Sequence, residues 1–333
     1  MAEINVKRDS KLIKVLAAQV RNDRVDSDKI EEAAQICSEM LKDLNPSSAH
    51  QIAQTVAFTV DELQQKSLDF LGNIADIKNV SFNEKAAFKV KDHSIKAVIQ
   101  AKGSTTPRSY VADHQILVDT EEVSARPALN ILDLLSNRVS MADLIREANE
   151  AMTNVKLKRI ERVLHSSIST YGSPFYAKSV GGLNQSALDA QLAHFFRIGS
   201  VSVLGDFSAV GQIAPFTGMA VNATPTMQYS GAMLDENNNN GFIGKYRGAN
   251  VISINNAYDE DGVTPILSPN WLYIIPGGQS ADARNLKIVN EGTVQSMSAQ
   301  DINDRVYEIL LYSWFGCAFV TGKNPTSGAH ELG

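Results

Sequence analysis

The residues that could carry out chemistry lie in patterns that match no active-site motif. The segment GCAFVTGKN at 316–324 resembles a phosphate-binding loop, but five residues separate Gly316 from Gly322 and Asn324 replaces the required hydroxyl. No helix is predicted to follow, so the N-terminal amides that would hold a phosphate are missing. Gly244-Lys245 is followed by Tyr246 and leads into a predicted strand. We expect no phosphate site at either segment.

Hydrolase and metal-site patterns are also incomplete. Gly205-Asp206-Phe207-Ser208 predicts a strand-to-helix turn without the second glycine of a nucleophile elbow. The acidic turn Asp259-Glu260-Asp261 lacks the alternating oxygen ligands of a calcium-binding loop. The histidines have no metal-ligand spacing, and His165 is expected to act as a favourable charge near a helix end; they are His50, His93, His114, His165, His194 and His330. The sequence therefore predicts no catalytic residue, no cofactor and no metal, and a protein that is not an enzyme.

Composition narrows the class of protein further. The chain has 333 residues, of which 44% are hydrophobic, and this is enough apolar material for a sizeable core. The net charge of −6 argues against a protein that grips nucleic acid with its whole surface. Cys37 and Cys317 are far apart in the chain, and we expect two buried, reduced thiols. No apolar stretch is long enough to span a membrane, and the charged N-terminus does not fit a signal peptide.

The first 77 residues are predicted to be helical. One amphipathic run begins after Ser10, a second opens at Ser27, and a third extends from about residue 48 to about residue 71. The third run places these apolar residues on one stripe: Ile52, Val56, Val60 and Leu63. Together the runs predict a small helical domain or an arm.

Residues 86–120 are predicted to form a long two-stranded hairpin. Residues alternate in polarity from Ile95 to Lys102 and again from Tyr110 to Val118, with turn-forming residues between the two stretches. Two strands alone bury too little apolar surface to be stable in water. The hairpin must therefore pack onto its own domain or onto a neighbouring copy, and its many charged residues favour the neighbouring copy.

The rest of the chain alternates between helix and strand. The longest helical signal ends near Ile168, and its apolar stripe is Leu144, Ile145, Ala148, Met152, Val155, Ile160, Val163 and Leu164. Short helices and strands follow from Tyr171, and Leu286–Val320 is rich in strand signals. Between them, the polar segment Asn237–Gly241 predicts a loop ahead of a strand over 249–254.

This order of elements resembles the major capsid protein of tailed bacteriophages, the Hong Kong 97-type fold. The resemblance covers about residues 80–322, and Tyr307–Tyr312 with Phe315–Val320 resemble the returning strands of its peripheral domain. It rests on architecture, since the family has no diagnostic motif. It implies an α+β fold with an extended β-hairpin loop, a long spine helix, and peripheral and axial domains, to which this chain adds a helical N-terminal arm.

The resemblance also implies domain boundaries and interfaces. Residues 1–77 would form the helical arm, 78–120 the hairpin loop, 121–180 the peripheral domain with the spine helix, 181–280 the axial domain, and 281–333 the returning strands and C-terminal tail. Gly244 and Gly248 are expected to let the following strand turn closely against the sheet. The predicted subunit-interface residues are Phe88, Ile95, Ile99, Tyr110, Ile116, Asn237, Asn238, Asn239, Asn240 and Gly241.

The implied function is structural. Copies of the chain would assemble in the host cytoplasm as hexamers and pentamers into an icosahedral virion capsid around double-stranded DNA. Partners would include a portal and, in some systems, scaffold or decoration proteins, with no membrane. An encapsulin-type shell around cargo proteins is the alternative within the same fold. An α/β enzyme or ligand-binding protein centred on residues 170–280 is the alternative from another class.

Overall fold

A computed structural model gives the architecture of most of the chain. It describes residues 11–21, 23, 26–42, 46–67, 71–72, 75–93, 111–130, 141–213, 244–254, 256, 258, 261–277, 284–301, 306–321 and 325–333. Within these residues, no helix has the length and apolar character needed to cross a bilayer.

The helices lie where the apolar periodicity predicts them, with ends that differ by a few residues. The long helix, for instance, begins at the residue after Ser140 and ends at Ile168. The helices are α1 (Lys11–Val20), α2 (Ser27–Lys42), α3 (Pro46–Ser67), α4 (Met141–Ile168), α5 (Gln185–Phe196) and α6 (Phe207–Gly211).

The strands form separate sheets. The first sheet has the order β1-β11-β12-β4, with β5 also paired to β12; the second has the order β6-β13-β10-β7-β9-β8; and β2 pairs with β3 alone. The strands are β1 (Ala75–Val80), β2 (Ala87–His93), β3 (Val111–Leu117), β4 (Glu121–Ala125), β5 (Ala128–Asn130), β6 (Tyr176–Ser179), β7 (Ser200–Asp206), β8 (Lys245–Tyr246), β9 (Ala249–Ile254), β10 (Trp271–Gly277), β11 (Leu286–Asp301), β12 (Val306–Phe319) and β13 (Gly328–Leu332).

Helices α3 and α4 cover one face of the first sheet, and α1 packs on both of these helices. The predicted stripe on α3 is buried at every position, with Val56 and Val60 fully enclosed. These side chains share one hydrophobic core with α4 and with Tyr307, Ile309 and Leu311 of β12. The N-terminal segment is therefore helical over α1 to α3 as predicted, but Ala75–Val80, at the end of the predicted helical segment, forms strand β1 of the first sheet. Helices α1 and α3 pack into the chain's own core rather than projecting from it.

The spine helix, α4, departs from its predicted apolar stripe at Val155 and, less strongly, at Val163, which is half-buried. Val155, predicted to be buried, is 50% exposed, whereas Lys156 is only 4% exposed. The reason is the helical period: buried residues recur every four positions at Met152, Ile160 and Leu164, and position 156 falls on that row. A charged residue, Lys156, thus occupies a core position of the helix.

The second sheet lies between α5 and α6 on one face and the spine helix on the other. Leu192 and Phe195 of α5 share a core with Val203 and Leu272, whereas Tyr273 belongs to the core around α4. Strand β13 runs antiparallel to β10. The predicted segment 281–333 therefore divides between sheets, because β11 and β12 lie in the first and β13 in the second.

A bulge interrupts the long hairpin of β11 and β12. The register moves from Glu291 opposite Trp314 to Gln295 opposite Tyr312, so three residues of β11 oppose Ser313 alone. Gly292 has φ +68, a conformation that glycine adopts without strain. The bulge separates the two strands locally and opens the sheet beside α3 and α4.

Candidate functional site

The two-stranded ribbon of β2 and β3 has one strongly exposed strand end. The strands pair antiparallel from Ala87 opposite Leu117 to His93 opposite Val111, and within the described residues they pair with no strand of either larger sheet. All residues from His114 to Leu117 are exposed, including Leu117 at 55%. The predicted two-stranded hairpin is confirmed for the described residues, and its contact with a neighbouring copy stays a prediction.

Phe88 anchors the base of this ribbon. Its side chain is fully buried in a small core with Val118 and Val289. The ammonium groups of Lys78 and Lys287 lie 4.7 and 5.5 Å from the ring centroid, within cation–π range. Phe88 was predicted to contact a neighbouring subunit, but its own chain already covers it. This corrects its assignment, because a side chain with no exposed surface has none to offer a partner.

Polar contacts hold the same base in place. Lys287 forms a buried ion pair with Asp76, with 2.9 Å between Nζ and Oδ2. The carboxylate of Glu291 accepts hydrogen bonds from the backbone N–H of Asn83 and the hydroxyl of Thr120, one on each side of the hairpin. The ribbon therefore leaves the sheet at a fixed, well-packed junction rather than through a loose linker.

The face of the first sheet opposite the helices carries an exposed aromatic surface. We call the residues Phe82, Met297, Tyr312 and Trp314 the aromatic face. Phe82 and Met297 are 57% and 59% exposed. The Trp314 ring lies 4.6 Å from that of Phe82 and 5.3 Å from that of Tyr312, measured between centroids. Exposed apolar clusters of this kind are typical of interaction surfaces.

Sequence reasoning missed the aromatic face, although the signal was present. On β12 the buried residues alternate with half-buried ones, so Leu311 and Phe315 face the helices while Tyr312 and Trp314 face away. Two large aromatic residues on the outward face of a strand are an indication of a binding surface.

The remaining predicted interface residues have mixed outcomes. Ile116 is 37% exposed on β3 and stays a candidate. The others lie outside the described residues: Ile95, Ile99, Tyr110, Asn237, Asn238, Asn239, Asn240 and Gly241. The close turn predicted at Gly248 is present, since Arg247 and Gly248 have φ values of 47 and +92 and join β8 to β9 above Phe196.

Two of the titratable groups that the sequence singled out, Asp261 and His165, have structural partners. The hydroxyl and backbone N–H of Thr264 and the backbone N–H of Val263 donate hydrogen bonds to Asp261 and lower its pKa to about 2. His165 lies against Trp271, with ring centroids 4.0 Å apart. No group of three potential metal ligands occurs among the residues that the structure describes.

The cysteines are unpaired, as predicted. Cys37 and Cys317 are free and half-buried, and burial raises the pKa of each thiol to about 11. A thiol with so high a pKa is a weak nucleophile at neutral pH. Neither cysteine is thus suited to covalent catalysis.

This architecture is that of the Hong Kong 97-type capsid proteins. The chain aligns with the mature capsid protein of bacteriophage PhiM1 at a TM-score of 0.50 and 8% identity, over 78% of this chain and 86% of that one. It aligns with the capsid protein of cyanophage P-SCSP1u at 0.51 and 10% identity, over 79% and 86%. With the capsid of an empty GTA particle, the TM-score is 0.51 and the sequence identity 10%, over 79% of this chain and 88% of that one.

The sequence itself assigns the family. The profile of the "SPbeta prophage-derived putative capsid protein YonB" family matches residues 1–327, and the chain belongs to this family. It is therefore a structural capsid protein rather than an enzyme. No curated protein sequence matches the chain.

Proposed function

We propose that this chain is the shell-forming subunit of a phage virion, which assembles as hexamers and pentamers into a closed icosahedral head around double-stranded DNA. The observation that carries the proposal is the exposed ribbon of β2 and β3, whose base is packed on the chain through Phe88 but whose strands pair with no further strand among the described residues. A two-stranded ribbon is stable in water only when something covers it. A neighbouring copy in a shell provides that cover.

The aromatic face supplies a surface for the contact. In the proposed shell, the ribbon of one copy lies over the aromatic face of its neighbour, and Ile116 and Leu117 pack against Tyr312 and Trp314. Each such interface is modest in area, but every subunit forms several, so removal of one subunit breaks several contacts together. The domain boundaries at 77, 120, 180 and 280 remain part of this proposal, as does the axial loop Asn237–Gly241 as a contact around the capsomer axis.

The charge of the chain supports DNA as non-specific cargo. With a net charge of −6, the subunit has no overall attraction for phosphates that would hinder packing and release. In the proposed pathway, assembly occurs in the host cytoplasm, a portal occupies one vertex, and scaffold or decoration proteins act where the shell requires them.

Electron microscopy of the purified protein tests the proposal directly. We expect closed particles with icosahedral outlines, together with nuclease-protected double-stranded DNA in particles taken from infected or induced cells. A monomer or small oligomer under all assembly conditions would contradict the shell. Closed particles that hold protein cargo and no DNA would instead identify an encapsulin-type compartment.

To test the interface, the aromatic face is altered at Trp314→Ser, with Tyr258→Ser as the matched control. Tyr258 is 64% exposed and lies away from the first sheet. We expect Trp314→Ser to raise the protein concentration needed for assembly by tenfold or more, and Tyr258→Ser to leave it unchanged. Equal assembly by both variants would remove the aromatic face from the proposal.

A further inference from the structure

A polar cavity lies where the bulge of β11 meets α3 and α4. Its volume is about 440 Å³, and its walls include Gln64 and Gln65 of α3, Lys156 of α4, and Ser313 and Trp314 of β12. Ligand sites commonly have volumes of about 300–1,000 Å³. The cavity is therefore large enough for several side chains or a short stretch of backbone.

Buried hydrogen-bonding atoms inside the cavity lack partners. The Nε2 amide of Gln64 and the hydroxyl of Ser313 have no hydrogen-bond partner among the described residues, although each residue is only 5% exposed. The ammonium group of Lys156 donates to Oε1 of the same Gln64 at 2.6 Å. The side-chain oxygen of Gln64 is thus engaged by Lys156, whereas its Nε2 group is a donor without a partner. Buried donors of this kind destabilise a protein unless a ligand or water accepts from them.

The charges around the cavity define the ligand it would accept. Asp61 accepts from the backbone N–H of Val294 and from Gln65, and Glu291 accepts from Asn83 and Thr120. Both carboxylates are engaged, and against the single ammonium group of Lys156 they leave the cavity wall with a net negative charge, which disfavours a further carboxylate. The partnerless donor at Gln64 is therefore best matched by an uncharged acceptor, such as a peptide carbonyl or the side-chain oxygen of an Asn or Gln.

We propose that the cavity is a docking site for a peptide segment of a second copy of this chain, which enters past Trp314 and presents an uncharged carbonyl oxygen to Gln64 and Ser313. The occupant follows from the continuity of the cavity wall with the aromatic face. Trp314 belongs to both, and Phe82 of the aromatic face lies beside Gly292 of the wall, so a neighbouring copy bound to that face lies next to the cavity. This inference rests on the proposed shell and adds a second, polar interface to it.

Occupation of the cavity would also affect the ribbon. Glu291 lines the cavity and holds both sides of the ribbon's base through Asn83 and Thr120. A segment that fixes the bulge between Glu291 and Gln295 would therefore stiffen the junction from which the ribbon leaves. The two interfaces would then reinforce each other within one shell.

Site-specific photo-crosslinking tests the occupant. A benzophenone amino acid replaces Gln65, an exposed residue at the wall of the cavity, and in the control it replaces His50, an exposed residue on the same helix outside the cavity. In assembled particles we expect crosslinks between two copies from position 65 only, with one recurrent peptide identified by mass spectrometry. Particles that form normally but yield only intramolecular crosslinks at position 65 would overturn the proposal. Failure to form particles at all would instead count against the shell itself.

A second variant separates a bound peptide from ordered water. Ser313→Val removes the partnerless hydroxyl and suits a strand position, so the dissociated subunit should melt at the same temperature or higher. If a peptide carbonyl binds here, the concentration needed for assembly should rise several-fold. Unchanged assembly together with an unchanged or higher melting temperature would mean that only water fills the cavity, and the proposal would be wrong.

Discussion

The strongest prediction concerns Phe88, which joins the ribbon to the body of the chain. Phe88→Ala removes a fully buried ring from contact with Val118 and Val289 and from beneath Lys78 and Lys287. Large-to-small substitutions of buried Phe cost about 3–5 kcal/mol, and the loss of two cation–π contacts places this site near the upper end. For a domain with a typical stability of about 5–15 kcal/mol, this is a substantial fraction.

The substitution Phe88→Ala should loosen the ribbon more than it loosens the rest of the chain. Urea unfolding of the dissociated subunit measures the total cost, and hydrogen exchange measures opening at residues 87–90 and 114–118. We expect exchange in these segments to accelerate far more than in α4, and assembly to fail because the ribbon loses its fixed orientation. Phe88→Leu is the control, since it keeps most of the volume and should cost less than about 1.5 kcal/mol. A cost for Phe88→Ala below about 1 kcal/mol, with exchange of the ribbon unchanged, would refute the anchoring role.

Three further predictions address the body of the chain. Gly316→Ala should destabilise the subunit by roughly 1–3 kcal/mol in urea unfolding, because an added Cβ would lie 2.5 Å from the carbonyl oxygen of Asp119, and no loss would mean that this close approach is not rigid. Burial lowers the pKa of Lys156 from 10.5 to about 8. Between pH 8 and 10.5 the lysine is therefore protonated in the unfolded chain but largely deprotonated in the folded chain. The free energy of unfolding should therefore rise across that window by roughly 3 kcal/mol more in the unchanged chain than in Lys156→Met, and parallel pH curves would contradict this. Burial also lowers the pKa of His330 from 6.5 to about 4, so stability should fall as the pH drops between these values, by roughly 3 kcal/mol more than in His330→Gln; equal acid sensitivity would assign the effect to other groups.

Periodicity predicted the elements well because each depends on neighbours in sequence. The stripe from Ile52 to Leu63 and the strand Ala249–Ile254 follow from residue spacing alone, and both are present. The interface residues were harder to predict, because exposure depends on the rest of the fold. Phe88 and Ile116 both occur in an alternating hairpin, yet one is fully enclosed and the other 37% exposed.

The position of Lys156 illustrates the same limit. Its sequence neighbours place it beside an apolar stripe, and a lysine is normally assigned to the wet face of a helix. Only the approach of Gln64 from α3 and of the bulged strand makes a polar, buried environment for its ammonium group. The cavity around it is lined by residues as far apart in the chain as Asp61 and Trp314, and no local sequence pattern indicates that they lie together.

By itself, the sequence determined helices α1 to α4, the strands of the hairpin, the strand-rich segment of β11 and β12 and the order of elements that resembles the capsid family, since all of these depend on short-range spacing and chain order. It did not predict β1 and β13 as strands. The tertiary structure decided which apolar residues remained exposed as the aromatic face and which charged residue became buried beside a cavity. The physical reason is that burial is a property of surfaces brought together from distant parts of the chain, and only the folded arrangement of α3, α4 and the bulged sheet brings those parts into contact.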